Sequence, residues 1–347
     1  MPKLPRPRNL EEALNRSENI ARNRQRVRQQ YENDRRQRVQ TILEYLKSTA
    51  QNPNNLCLRQ TGFTEEGLQS IIAIVDHLPR SRIGRPSIIK NTADQIFLVL
   101  SFFHTASFHV VYMSTMHLVK GESTVWRVLW QTIEYLNAIL TPALLTQTRD
   151  RDPAIPDIAL VFDCTVVRIP VPRDQTRPVD THYSGKHKFH CVKWNCGVNV
   201  VTGRCATISR PAEGAVHDWM VHQTHWPEIT RILGEERYMA DSAYVGGRAL
   251  HNAIITDAQD DGEHTTDRVI VERFFGRLKS LFRILQGTWK HTMAKLYSVF
   301  HLCVLLTNHH ITLHPLTRQD EGVEEEIFQA EIALDLQRRG PVQVDPQ

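Results

Sequence analysis

The chain has 347 residues, 41% of them hydrophobic, and this apolar content indicates a folded core rather than a disordered chain. Its 42 basic residues barely exceed its 38 acidic ones, giving a net charge of +4. No stretch reaches the roughly 18 apolar residues of a membrane span, and the N-terminus has no apolar secretion segment. The six cysteines lack paired spacing. We therefore expect a soluble intracellular protein with reduced thiols, not a membrane or secreted one.

Residues 1–55 are predicted to form a basic N-terminal arm that is dense in arginine. The charge is unevenly distributed, because acidic residues collect instead in a C-terminal tail over residues 313–347. An arginine-rich arm is typical either of a solvated helix or of a nuclear-import or nucleic-acid-binding segment. Arginine runs alone do not distinguish between these two interpretations.

Residues 56–150 show apolar residues at helical spacing and are predicted to be a helical region. Within it, a short apolar helix, a turn containing Gly121 and a helix that opens at Ser123 resemble a helix-turn-helix. In that arrangement Ser123, Thr124 and Arg127 face DNA. The alternative is a helical subdomain that packs on the rest of the protein.

After a proline-bearing boundary near residue 153 the pattern changes to short strands alternating with helices. This order indicates a mixed α/β or α+β domain, which we place at residues 155–312. The apolar run at 158–162 ends on Asp163, and a second run at 237–240 ends on Asp241. A helix predicted over residues 267–285 carries Glu272.

Asp163, Asp241 and Glu272 each have an ordinary explanation as a turn residue or a solvated helix residue. Together, two strand-borne carboxylates and one helix-borne carboxylate predict a cluster that binds divalent metal. Carboxylate oxygens suit Mg²⁺ or Mn²⁺, and two such ions can catalyse phosphodiester cleavage. Each strand-end aspartate is expected to project from the edge of the sheet.

Counting by three and four from Glu272 along the predicted helix reaches Gly276, Lys279 and Arg283. This stripe predicts a metal ligand followed by two phosphate-binding cations. Gly276 is expected to leave room for the close approach of another backbone.

Further candidates lie between the two aspartates. Lys186 and Lys188 are predicted to contact DNA phosphates, as is Lys193. His217 and Asp218 form a secondary pair that either positions DNA or caps the helix it opens.

These motifs together resemble the PIF/Harbinger-type transposases of the DDE superfamily. The resemblance spans about residues 158–308 and is carried by Asp163 and by the following stretches: YSGKHKFH at 183–190, GAVHD at 214–218, ADSAY at 240–244 and RVIVERFFGRLK at 268–279. One departure from the family lies at residues 245–267, which are polar and lack the usual proline-containing linker.

The resemblance implies a ribonuclease-H-like core with a catalytic triad of Asp163, Asp241 and Glu272 that holds two Mg²⁺ or Mn²⁺ ions. It further implies DNA cleavage and strand transfer in the nucleus by a homo-oligomer assembled on DNA, with a separate Myb-like DNA-binding protein as a partner. Two alternatives stay open. One is a domesticated, catalytically silent DNA- or protein-binding factor, and the other is a structure-selective nuclease without strand transfer.

Overall fold

The structure is a computed structural model that describes residues 41–51, 53–77, 91–116, 121–145, 158–172, 179–234, 236–246, 253–256 and 264–339. Most of the predicted basic arm, up to residue 40, lies outside the described residues. The chain divides into two units, Met1–Pro53 and Asn54–Gln347.

The described part of the first unit contains helix α1 (Ile42–Thr49). Its N-terminus is a capping box, in which the Thr41 hydroxyl accepts from the Glu44 amide at 3.2 Å. The Glu44 carboxylate in turn accepts from the Thr41 amide at 2.7 Å. Two of the amides that a helix start leaves unpaired are thereby satisfied.

The second unit opens with helices that match the predicted helical region. They are α2 (Leu56–Thr61), α3 (Glu65–His77), α4 (Thr92–Thr105), α5 (Phe108–Thr115) and α6 (Glu122–Leu144). Helix α6 has 23 residues, and its buried residues include Val125, Leu129, Ile133 and Leu140, spaced for one face.

The strands form one mixed sheet. They are β1 (Ile158–Arg168), β2 (Tyr183–Ser184), β3 (Phe189–Asn199), β4 (Cys205–Ile208), β5 (Ala212–Glu213), β6 (Arg237–Asp241) and β7 (Ile254–Thr256). The order β2-β3-β1-β6-β7 has β4 and β5 paired to β3. β3 runs antiparallel to β1, whereas β6 is parallel to β1 and β7 is parallel to β6. The predicted mixed α/β class is confirmed.

Four further helices complete the described part of this unit. They are α7 (Asp218–Leu233), α8 (His264–Leu281), α9 (Met293–Leu313) and α10 (Val323–Arg339). Helix α8 packs against β1, β3, β6 and β7, and α9 packs against α6. The predicted helical region and the sheet are therefore joined through α9. Within the described residues, none of the helices is both long and apolar enough to cross a membrane.

Helix α8 begins three residues before the start that the sequence pattern predicts and ends four residues before the predicted end. It ends at Leu281, and a separate 3-10 turn follows at Arg283–Leu285. Between them Phe282 leaves the helical conformation, with φ −123° and ψ 85°. Its buried ring packs against Phe63 and Phe103, with centroids 6.5 and 6.0 Å away. Tertiary packing of this aromatic ring overrides the local helical preference.

The acidic C-terminal segment folds back as α10 onto the sheet. Glu324 accepts a hydrogen bond from the Thr165 hydroxyl on β1. Phe328 is 3% exposed and packs against Phe189 of β3. This helix is part of the folded unit, because its first two turns share a core with β1 and β3.

The predicted helix-turn-helix stays a prediction. Helices α5 and α6 lie where the pattern places two helices, but the connecting residues 117–120 lie outside the described residues. Ser123 and Arg127 are exposed on the first turns of α6, and Thr124 is half-buried. The remainder of α6 packs on α4 and α9, as the subdomain alternative expects.

Candidate carboxylate site

Asp163 and Asp241 lie on two neighbouring parallel strands. The register pairs Phe162 of β1 with Ala240 of β6, so the residues that follow them stand side by side. Asp241 is the last residue of β6, as predicted. Asp163, in contrast, lies in the middle of β1, and the prediction that it ends its strand is wrong. β1 continues to Arg168 because β3 pairs with its whole second half.

The end of β6 opens the site on one side of β1. Beyond Phe162 the backbone of β1 has no further pairs with β6 in the ladder, which stops at Ala240. The Asp241 carboxylate accepts from the Ala243 amide at 3.0 Å and so caps the 3-10 turn Ser242–Tyr244. This geometry brings two carboxylates to the point where one strand stops and its neighbour continues.

The electrostatics of the site follow from this proximity. Burial and the neighbouring charge of Asp241 raise the pKa of Asp163 to about 8, against opposing contributions from Lys186 and the Cys164 amide. Burial lowers the pKa of Lys186, but the charges of Asp163, Asp218 and Asp241 outweigh burial, and the net pKa of Lys186 is raised. The raised pKa means that the pair carries less than two negative charges at neutral pH, and that a cation bound beside it would favour ionisation of both carboxylates.

A third carboxylate near this pair is Asp218, which opens α7. The Lys193 ammonium on β3 lies 2.7 Å from Asp218 Oδ1. Lys193 is only 7% exposed, so the prediction that it contacts DNA phosphates is wrong. The Lys193 ammonium forms an ion pair with Asp218. The charge of Asp218 in turn raises the pKa of Lys186 and the pKa of Asp163.

His217 occupies the N-cap of α7, as the capping alternative predicted. Its Nδ1 accepts from the Trp219 amide at 3.3 Å. The cap fixes the start of the helix and therefore the direction in which Asp218 leaves it. A direct role of His217 on DNA stays a prediction.

Glu272 lies on α8, the helix that packs across β1 and β6. Its carboxylate is 3.1 Å from Arg268, one turn earlier on the same helix, and both side chains are about a third exposed (27% and 34%). In this structure Glu272 therefore forms a helix ion pair. Its role as the third member of the triad stays a prediction.

Two carboxylates of this site are chemically suited to a hard divalent cation. Asp163 and Asp241 offer adjacent carboxylate oxygens, the ligands that Mg²⁺ and Mn²⁺ prefer. Within the described part of the chain, no three His, Cys, Asp or Glu side chains are grouped closely enough to hold an ion. The three predicted acids therefore do not form such a group among the described residues.

Lys186 and Lys188 lie on the tight turn that joins β2 to β3. Both side chains reach solvent, and the ammonium of Lys186 is partly desolvated beside the carboxylates. Lys188 has a φ of 60°, and its amide donates to the Ser184 carbonyl at 2.8 Å. The turn thus holds one cation beside the carboxylates and presents a second to solvent. Contact of either lysine with DNA stays a prediction.

Lys279 does not present a charge to DNA, and that prediction is wrong. Its side chain is fully buried, and its ammonium donates to the carbonyls of Val166 at 2.5 Å and Leu285 at 3.2 Å. The ammonium also lies 5.1 Å from the centroid of the Phe328 ring. Lys279 joins β1, α8 and α10 inside the core.

Arg283 is exposed but does not continue the helical stripe from Glu272, because α8 ends before it. Gly276 does allow a close backbone approach, as predicted. A Cβ atom there would clash with the carbonyl oxygen of Asp320. The glycine is needed where the segment leading to α10 crosses α8.

Sequence reasoning missed a buried polar network beneath the carboxylates. The Tyr244 hydroxyl donates to Asn195 Oδ1 at 3.0 Å, and its oxygen also lies 3.3 Å from the Cys164 sulfur. The Asn195 amide lies 3.0 Å from His222 Nδ1. Tyr244 belongs to the turn capped by Asp241, and Cys164 follows Asp163, so the network ties the two strands together. Asn195, between the apolar residues Trp194 and Cys196, was the available signal.

Residues 162–308 match the family model of the DDE superfamily endonuclease. This DDE segment covers somewhat less than half of the chain and contains Asp163, Asp241 and Glu272. It begins within β1 and ends within α9. A domain of the DDE endonuclease type is thereby supported for the mixed sheet and the helices that carry the three acids.

No curated protein matches the chain. Among solved structures, it is similar to the cryo-EM structure of the piggyBac transposase synaptic complex with hairpin DNA. The TM-score is 0.35 at 10% sequence identity, with 83% of this chain and 82% of that chain covered. A score this low does not establish a shared fold.

Proposed function

We propose that this protein is a DDE-type transposase, or an endonuclease derived from one, that cleaves DNA phosphodiester bonds with divalent metal ions. One observation carries the proposal. Asp163 and Asp241 stand side by side on parallel strands, at the point where β6 ends, within the DDE segment. Rigid strands are suited to hold first ligands of a metal in fixed geometry.

Asp163 and Asp241 would hold Mg²⁺ or Mn²⁺, with Glu272 as a third ligand once it leaves Arg268. When bound, a pair of such ions activates the attacking oxygen and stabilises the leaving oxygen of the phosphodiester. Burial and the charge of Asp241 raise the pKa of Asp163, and a bound cation would offset both by favouring its ionised form. Lys186 would orient the phosphate from the β2–β3 turn, and Asp218 is fixed beside the site by Lys193.

The same proposal includes a ribonuclease-H-like core, the cellular location, the partners and further DNA contacts. The sheet, with antiparallel strands on one side of β1 and parallel strands on the other, is compatible with a ribonuclease-H-like core. The resemblance to PIF/Harbinger-type transposases supports action in the nucleus as a homo-oligomer on DNA, with a Myb-like partner. Ser123, Thr124 and Arg127 would add DNA contacts from the exposed start of α6.

A second candidate function is a catalytically silent DNA- or protein-binding factor on the same fold. The Arg268–Glu272 ion pair favours it, since a cation already neutralises the third carboxylate. The two functions differ in metal binding. An active nuclease binds Mn²⁺ through Asp163 and Asp241, whereas a binding factor does not need to.

The decisive experiment is Mg²⁺-dependent nicking of DNA that flanks the coding sequence, with Asp163→Asn as the test variant and Asp76→Asn, an exposed carboxylate on α3, as the control. We expect Asp163→Asn to abolish nicking while the fold and DNA binding stay near those of the unmodified protein. Nicking that survives in Asp163→Asn, or equal loss in Asp76→Asn, would refute the assignment. Joining of a 3′-hydroxyl end to target DNA separates a transposase from a structure-selective nuclease.

A further inference from the structure

A cavity of about 380 Å³ lies beside the C-terminal end of β1. It is lined by Arg168 at the end of this strand, by Arg283 of the 3-10 turn after α8, and by Lys290 and His291 of the segment that leads to α9. Phe102 and Trp289 contribute apolar walls. A cavity of this volume is at the lower end of the range that holds small ligands.

The lining is strongly basic. Three cationic side chains face the cavity, and none of the described residues that line it is acidic. Arg283 and Lys290 are exposed, and within the described residues no salt bridge involves either of them. Two solvent-facing cations beside a third at the end of a strand create a positive potential that attracts anions.

A fourth cation reinforces this field from behind His291. The Lys295 ammonium lies 4.9 Å from the centroid of the Trp126 ring and 4.2 Å from that of Trp130. Burial, with the charges of Lys295 and Lys290, lowers the pKa of His291. A neutral imidazole at this position can donate one N–H to a ligand without adding to the repulsion among the cations.

The cavity is preformed. The Trp289 amide donates to the Arg168 carbonyl at 2.8 Å, and its indole N–H donates to the Thr292 carbonyl at 3.0 Å. Trp289 is 2% exposed, so the segment that carries Lys290 and His291 is anchored to the end of β1. The Arg168 guanidinium is 5.1 Å from the Phe189 ring centroid, which restricts its orientation. Anion binding therefore requires ordering of the exposed Arg283 and Lys290 side chains but not of the backbone segment that carries Lys290.

We propose that this cavity binds a nucleotide phosphate, supplied by a DNA strand that the protein holds. Arg283 and Lys290 are suited to phosphate oxygens, because a guanidinium binds them through two parallel hydrogen bonds and an ammonium adds a positive charge. The aromatic and apolar walls offer a surface for the attached sugar or base. The DNA source of the phosphate rests on the proposed function, whereas the phosphate chemistry rests on the lining alone.

The cavity is separate from the carboxylate site. Arg168 follows Asp163 by five residues on β1, a distance of about 17 Å at the usual rise of a strand. Adjacent phosphates of one strand are about 3.4 Å apart along a DNA helix, so the two sites would be roughly five nucleotides apart. The cavity would therefore anchor DNA away from the bond that is cut.

The test measures DNA affinity as a function of salt, without divalent metal, in Asp163→Asn protein so that no DNA is cut. The variants are Arg283→Gln, Lys290→Gln and both together, with Arg231→Gln as a matched control on the exposed face of α7. We expect the double variant to bind about tenfold more weakly at ~0.1 M salt. The slope of log affinity against log salt is negative, and in the double variant its magnitude should be smaller by about 1 to 2. Arg231→Gln should change neither quantity.

A second arm separates the sources of the phosphate. Inorganic phosphate and a free deoxynucleotide are titrated while the ring resonances of His291 are followed by NMR, because an anion in the cavity raises the pKa of this imidazole. DNA that shifts these resonances at lower concentration than either small molecule supports the proposal. An unchanged salt slope in the double variant, or tight nucleotide binding with unaltered DNA affinity, overturns it.

The outcomes for the cavity and for the proposed function are independent. Loss of nicking in Asp163→Asn with an unchanged salt slope in the double variant rejects the cavity and keeps the nuclease. A reduced slope together with persistent nicking in Asp163→Asn keeps the cavity and rejects the carboxylate site.

Discussion

Glu272 lies 3.1 Å from Arg268, the arginine one turn before it on α8, so the third predicted metal ligand is already paired with a cation. The pair is partly exposed, and such pairs contribute only about 0.2–1 kcal/mol. This energy is small beside that of a carboxylate binding a divalent cation. The pair therefore restrains Glu272 without excluding it from a metal site.

We predict that Arg268→Gln tightens Mn²⁺ binding by up to about fivefold, because the carboxylate no longer has to leave a partner. Titration of Mn²⁺ followed by electron paramagnetic resonance measures this change. Arg273→Gln is the matched control, since Arg273 lies on the same helix but pairs with Glu321 at 3.0 Å. Weaker Mn²⁺ binding in Arg268→Gln than in the control would argue against Glu272 as a ligand.

Tyr244→Phe is expected to destabilise the protein by about 1–2 kcal/mol, because Asn195 Oδ1 loses a buried donor. It should also slow nicking by about ten- to a hundredfold with unchanged DNA affinity, since the turn that Asp241 caps loses its anchor. Urea denaturation and nicking rates measure the two effects.

Tyr238→Phe is the control for Tyr244→Phe. Tyr238 is also fully buried, but its hydroxyl has no hydrogen-bond partner in the described structure. Removal of the Tyr238 hydroxyl should lower the free energy of unfolding by less than about 0.5 kcal/mol, or should raise it. Equal losses of stability in both variants would show that the Tyr244 hydroxyl does not act through Asn195.

Lys279→Met is expected to lower the free energy of unfolding by about 3 kcal/mol, because the carbonyls of Val166 and Leu285 lose a charged donor and Glu324 loses a nearby cation. The salt dependence of DNA binding should stay the same, since the ammonium is buried. Denaturation and fluorescence anisotropy measure these two quantities. A reduced salt slope with unchanged stability would restore Lys279 as a DNA contact.

Asp320→Asn is expected to cost about 1–3 kcal/mol at neutral pH. Arg277 donates to both oxygens of this carboxylate, at 2.7 and 2.8 Å, and the Thr317 amide donates at 2.8 Å. Burial raises the pKa of Asp320, but the hydrogen bonds from Arg277 and Thr317 outweigh it, and the net pKa lies below its usual value.

The pH dependence follows from that direction. A depressed pKa means that the ionised carboxylate stabilises the folded state at any pH above about 4, and that this contribution is lost as the pH falls through the folded-state pKa. Thermal unfolding from pH 7 to 2 should therefore show the difference in stability between Asp320→Asn and the unmodified protein disappearing in acid. Glu321→Gln is the control, because the Glu321 side chain is 43% exposed and its pair with Arg273 contributes at most about 1 kcal/mol.

The local pattern of the sequence determined the elements that carry the acids. An apolar run leads into Asp163, a second run ends on Asp241, and Glu272 lies within a helix that has an apolar face, all of which the structure bears out. It also predicted the close backbone approach at Gly276. These features are readable because alternation and helical spacing reflect which side chains face a core.

Only the tertiary structure decided which charges are available. Lys279 and Lys193 resemble surface cations in the sequence, yet each is buried where another element supplies carbonyls or a carboxylate. Asp163 lies in mid-strand because β3 extends past the end of β6. Burial and pairing of this kind depend on residues far apart in the chain, and no local spacing encodes them. The sequence by itself therefore determined the candidate acids, and the fold decided their partners.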